Sequence, residues 1–169
     1  MVGTFLNLKP NIRSNSRGIY MRIEDKVNGI VDCCINDSCD LNIEHLAYMF
    51  DVHIMYNHKR SFYVKKSGID VIGLKFNHTY KMFADFCHEA GHMFMHSTDQ
   101  HNMAKSFNVM QEAEADKFAL LLMLPEKLII RNQLYEASDI MTYFNVSEDV
   151  AIKRLEMLMN RAEVSQLKF

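Results

Sequence analysis

The chain has 169 residues and a net charge of -2 with histidine neutral, and 49% of its residues are hydrophobic against 24% charged. That length suits one domain with at most a small appended lobe, and the composition fills a core while keeping a polar surface. The slightly acidic balance argues against a nucleic-acid coat, which needs a concentrated basic face, and no apolar run approaches the ~20 residues needed to cross a bilayer.

Met1 to Pro10 holds a short apolar patch without the h-region or cleavage site of a secretion signal, so a cytoplasmic location is expected. Residues 1–20 read as a loose arm, because Pro10, Asn11, Asn15 and Gly18, with Arg13 and Arg17, break any periodicity. Helical spacing begins at Met21 and places Ile23, Val27, Ile30 and Val31 on one face. Asp32 to Asp40 holds polar and turn residues, with Cys33, Cys34 and Cys39 clustered but no C-x-x-C pair, which argues against a structural zinc knuckle. Asn42-Ile-Glu-His45 opens a second helix carrying Ile43, Leu46, Ala47 and Phe50. Alternation at 52–56, 61–65 and 69–76 then predicts three strands, expected to form an antiparallel sheet.

With Asn77 as its cap, a helix is predicted from Thr79 to His96. Residues 97–106 are loop-like, and the next helix, Val109 to Met123, is stopped by Pro125. Glu126 to Leu134 can form a short helix, and Ser138–Phe144 and Ser147–Met159 predict a helical pair around Asn145-Val146, with Ser147 as cap. The expected organisation is an arm over 1–20, a main domain over 21–136 and a C-terminal helical hairpin over 137–169. The expected class is α+β: mainly helical, with a small three-stranded sheet packed on the helix of the motif described next.

His88-Glu89-Ala90-Gly91-His92 matches H-E-x-x-H. On a helix His88 and His92 stand about 40° apart around the axis and one turn apart along it. Two imidazoles so placed can reach one ion at about 2.0–2.1 Å. Glu89 sits on the shoulder of that face, suited to taking a proton from water rather than to ligation. Met82, Phe83 and Phe86 before the motif, and Met93, Phe94 and Met95 after it, bury the helix around this polar triplet.

The third ligand is not in the motif. Met95 occupies the position where one class of zinc peptidase turns the chain at Gly, and His96 lies about 12 Å along the axis from His88, too far to share its ion. The acidic start of the following helix offers Glu112, with Asp116 one turn on, placed to accept the N–H of a metal-bound His. Glu114 points roughly 200° away from Glu112 and stands in reserve.

These segments, with Phe118-Ala119 and Leu121-Leu-Met-Leu-Pro125 after them, resemble the ImmA/IrrE metallopeptidases over about residues 40 to 160. Asn145-Val-Ser147 with Val150 and Arg154-Leu155 is similar to that family's C-terminal helices. The resemblance implies a gluzincin-type helix pair, with Zn2+ on His88, His92 and Glu112 and Glu89 as the base. It further implies a zinc endopeptidase that cleaves a helix-turn-helix repressor and so derepresses phage or mobile-element genes. Ala90-Gly91 departs from the more usual Leu-Gly, and Gly91, which costs ~1 kcal/mol of helix stability against Ala, is expected to admit a neighbouring strand. Oxyanion help could come from Tyr56, His78, Tyr80 or His101, which the sequence does not rank. The competing reading is a non-enzymatic regulator whose metal site is structural or vestigial. Its terminal helices have a helix-turn-helix outline, but Glu148, Asp149 and Glu156 oppose Lys153, Arg154 and Arg161 there, so direct nucleic-acid binding is not expected.

Overall fold

A computed structural model describes residues 22–95 and 105–166. The predicted arm over 1–20, together with His96 and His101, lies outside the described residues. Helix α1 (Ile23–Cys34) buries Val27, Ile30, Val31 and Cys34. It therefore runs three residues into the segment predicted as a turn, because Cys34 continues the buried stripe at helical spacing. The chain then turns through a single 3-10 turn, Ser38–Asp40, where Asp40 accepts from the backbone of Asn36 and Asp37. Asn42 caps α2 (Ile43–Phe50) by accepting from His45 N at 2.8 Å. Left-handed Asp51 ends that helix and delivers the chain straight into β1 (Val52–Asn57).

Strands β2 (Phe62–Lys66) and β3 (Ile69–Lys75) complete a sheet of order β1-β3-β2. The three strands exist as predicted, but the sheet is mixed rather than antiparallel: β2 pairs antiparallel with β3, and β1 pairs parallel with it. Ser67 and Gly68 both adopt positive φ, which makes β2–β3 a tight hairpin. The link between β1 and β2 also reverses the chain, yet β3 lies between them, so β1 must run parallel to β3. Burial explains the order. Strand β3 buries Asp70, Ile72, Gly73 and Leu74, more than either neighbour, and takes the centre.

Helix α3 spans Thr79–Met95. Its cap is His78 rather than Asn77: the His78 carbonyl accepts the first helical bond, from Met82, and its Nδ1 faces Lys81 N at 3.4 Å, while Asn77 braces His78 N at 2.9 Å. Helix α4 (Lys105–Met123) begins earlier than predicted, and Pro125 then starts α5 (Glu126–Arg131). Helix α5 stops before Leu134, where Gln133 takes a positive φ. Helices α6 (Ala137–Phe144) and α7 (Glu148–Gln166) meet at left-handed Asn145, and α7 outruns its prediction.

The core centres on α3. Phe50 meets Phe94 edge-on at 5.0 Å, and Phe94 stacks on Phe118 at 5.8 Å, joining α2, α3 and α4. Full burial of each such ring is worth ~2–3 kcal/mol. Helix α7 is held by Ala151 and by Arg154, which is 2% exposed and donates from Nε to Leu124 O at 2.8 Å. Arg161 adds ion pairs to Glu126 and Asp25. The fold is α+β, mainly helical, as the sequence implies. Among the described residues no helix is long and apolar enough to cross a membrane.

Candidate metal centre

The site is made by two crossing helices, and Gly91 sets how closely they cross. A Cβ on Gly91 would lie 2.9 Å from Ala115 Cα and 3.1 Å from its carbonyl oxygen. The close approach expected at this glycine therefore comes from helix α4, not from a strand. Gly91 sits between His88 and His92, and Ala115 between Glu112 and Asp116, so the contact brings both polar faces together.

His88 Nε2 lies 3.1 Å from His92 Nε2 and 3.2 Å from Glu112 Oε2, and His92 Nε2 lies 3.5 Å from Glu112 Oε1. Two ligands at about 2.0–2.1 Å on a tetrahedral ion stand about 3.3 Å apart, and each of these separations is close to that value, with Glu112 facing the two imidazoles through different oxygens. His88 Nδ1 is 2.9 Å from Asp116 Oδ1. A carboxylate there fixes the N–H on Nδ1 and leaves Nε2 as a bare lone pair. That lone pair faces a second imidazole nitrogen and a carboxylate oxygen, an arrangement that favours a cation between them. His88, His92 and Glu112 could thus hold a metal ion. Glu114, the reserve candidate, is not part of the converging group.

Glu89 is 9% exposed, and burial pushes its carboxyl up to about 7. The neighbouring carboxylates of Glu112 and Asp85 push the same way, while His88 and a hydrogen bond from the Tyr63 backbone oppose them. Tyr63 is the functional residue that sequence reasoning missed. It carries no signal there, because its main-chain N–H makes the contact and only the placement of β2 beside α3 creates it. Its side chain is anchored separately, the phenol donating to buried Asp70 at 2.6 Å. One turn before Glu89, Asp85 ties α3 to Ser61 just ahead of β2, at 2.7 Å, and to Lys81.

Of the oxyanion candidates, Tyr56, His78 and Tyr80 lie within the described residues. Tyr80 precedes His88 by two helical turns, about 12 Å along the axis, and stacks on His78. Tyr56 stacks on Phe76 at 5.4 Å at the end of β1.

The family described as the IrrE N-terminal-like domain, Peptidase M78, matches residues 49–156, and the chain belongs to it. The match spans the sheet, both site helices and the first half of α7. The chain is also 26% identical over 122 residues to the phage-like element PBSX protein XkdA of Bacillus subtilis (strain 168). That alignment covers 69% of this chain and 62% of the relative, so the chain spans less than two thirds of the relative's length.

Proposed function

We propose that this protein is a zinc-dependent endopeptidase of a phage or mobile element that cleaves a helix-turn-helix repressor. The observation that carries the peptidase assignment is the convergence of His88, His92 and Glu112, at 3.1–3.5 Å from one another, beside the buried carboxylate of Glu89. Two imidazoles and one carboxylate leaving an open position suit zinc in a catalytic setting. When bound, the ion would supply Lewis-acid polarisation of a peptide carbonyl and would make water more acidic.

The chain's own residues supply the rest. Asp116 holds the His88 ring in the tautomer that presents Nε2. Glu89 accepts a proton from the attacking water and returns it to the leaving amide nitrogen, a role that suits a carboxyl whose affinity for protons is raised. The Tyr63 N–H fixes the orientation of that carboxylate against β2. The phage-element setting is supported by the relative's name, and the choice of a repressor as substrate in a cytoplasmic setting rests on the resemblance to the ImmA/IrrE metallopeptidases.

The test is incubation of the zinc-loaded protein with the repressor encoded beside it. Wild type should give two fragments, and Glu89→Gln should retain zinc and leave the repressor whole. A Glu89→Gln variant that relieves repression in cells as well as wild type would instead establish the non-enzymatic regulator.

A further inference from the structure

The chain is slightly acidic as a whole, yet residues 52–81 hold six basic side chains and one acid. That acid, Asp70, is buried beneath Tyr63 and paired to Lys65. Of the six, Lys65 and Lys81 are engaged by carboxylates, whereas among the described residues no ion pair engages Lys59, Arg60 or Lys75. Lys59 and Arg60 line an open pocket of about 430 Å³ together with Asn57 and Phe62.

The walls of this pocket are fixed. The Asn57 side chain accepts from Lys59 N at 2.8 Å and from Arg60 N at 3.1 Å, and donates to Arg60 O at 3.0 Å. The link that carries both cations is therefore folded around one amide. The Phe62 ring lies across Gly73, where a Cβ would fall 2.4 Å from it, so the apolar wall is seated on the sheet. The strand that begins at this pocket is tied to the helix of the metal centre by two contacts. Ser61, next to Arg60, is bound to Asp85 one turn before Glu89, and Tyr63 N–H reaches Glu89 itself. From Tyr63 back to Arg60 is three residues, at most about 10 Å if the chain is extended.

We infer that Lys59 and Arg60 form a recognition subsite for an acidic side chain of the protein substrate, about three residues from the cleaved bond. The inference deepens the peptidase proposal and rests on it. A carboxylate entering the pocket would meet two cations that no ion pair engages among the described residues, on a preorganised link, which confers selectivity at small entropic cost. A chain lying along β2 would carry its scissile bond to Glu89 while its acid reached the link.

The test uses zinc-loaded Glu89→Gln protein, which holds substrate without cutting it. The probes are a fluorescein-labelled peptide of about ten residues alternating Asp with Ser, its Lys–Ser counterpart, and oligo(dT) of about ten nucleotides. Anisotropy should show the acidic peptide binding at least about tenfold tighter than the basic one, with the preference weakening as NaCl rises from about 50 to about 300 mM. Lys59→Glu/Arg60→Glu should invert the preference, and the milder Lys59→Gln/Arg60→Gln should abolish it. Equal binding of the acidic peptide by wild-type and reversed pockets, binding of oligo(dT) alone, or binding of no probe would overturn the inference. Zinc content on the same samples separates the two claims. Full zinc without acidic-peptide preference leaves the metal centre standing, and selective peptide binding without zinc does the reverse.

Discussion

Replacing Gly91 by Ala acts first on the helix crossing. In an isolated helix this change stabilises by ~1 kcal/mol. Here the new methyl would sit 2.9 Å from Ala115 Cα, 3.1 Å from its carbonyl oxygen and 3.3 Å from its Cβ. Carbon atoms attract at about 3.5–4.0 Å, so α3 and α4 must part by roughly 0.6–1 Å. The first two contacts are with backbone, which cannot rotate away. Overpacking of this kind costs ~1–3 kcal/mol, leaving a net loss of ~0–2 kcal/mol after the propensity gain. The larger effect falls on the metal. Glu112 is on one helix and both histidines are on the other, at 3.2 and 3.5 Å. Metal–ligand distances tolerate only about ±0.2 Å, so zinc affinity should fall about 10–100-fold, as it does when ligand-orienting groups are lost. Competition against a chromophoric chelator measures the affinity, and thermal unfolding of the metal-free protein measures the packing cost. A Gly91→Ala protein that melts higher than wild type and binds zinc equally well would refute the idea that this crossing sets the ligand spacing.

Asp116→Ala should weaken zinc binding about 10–100-fold while leaving the metal-free protein's melting temperature nearly unchanged, since the side chain is largely exposed; chelator competition checks the first and calorimetry the second. Tyr63→Phe should remove the hydrogen bond to Asp70 and cost ~1–3 kcal/mol in urea unfolding, because a buried carboxylate loses a partner. It should also slow repressor cleavage without loss of zinc, since the strand that holds Glu89 is loosened. Burial of Glu24 opposes its ionisation, but its hydrogen bond and ion pair with Lys117 at 2.8 Å, together with its own backbone N–H and the charge of Arg22, hold its carboxyl below the ordinary 4.5. Its folded pKa is thus depressed, so its contribution to stability is present above the unfolded value and is lost as pH falls through the folded one. Glu24→Gln should flatten the acid limb of the stability profile below about pH 4.5, and an unchanged slope would count against the Lys117 contact.

What the sequence disclosed and what it withheld divide along physical lines. A helical face is written locally, because spacing fixes angle: His88, His92, Glu112 and Asp116 each lie on the face their numbering requires, and the paired faces meet. Three strands were legible for the same reason, since alternation is a local property. Their order was not. Nothing in the identities of 52–56 distinguishes a strand beside 62–66 from one beside 69–75, and the outcome follows from β3 having the most to bury. The cap of α3 falls one residue later than residue type suggests, because Asn77 is the better cap by type, while His78 is the residue whose carbonyl starts the helix.

Gly91 and Tyr63 mark the boundary more sharply. Gly91 was visible as an anomaly in a helix, and close approach was the correct physical inference, but a missing side chain does not identify its neighbour. Tyr63 was invisible because its contribution is a main-chain N–H that any residue except proline would supply at that position. The identity of Tyr63 matters one step further out, through the phenol that fixes β2 to Asp70. The division implies different tolerances to substitution. Positions that ligate should fail with every replacement that removes the donor atom, whereas position 63 should accept residues that keep β2 anchored and reject proline outright. A cleavage assay across substitutions at 63, scored beside zinc content, would show that asymmetry; a Tyr63→Pro protein that still cleaves would place the orienting contact on Glu89 elsewhere.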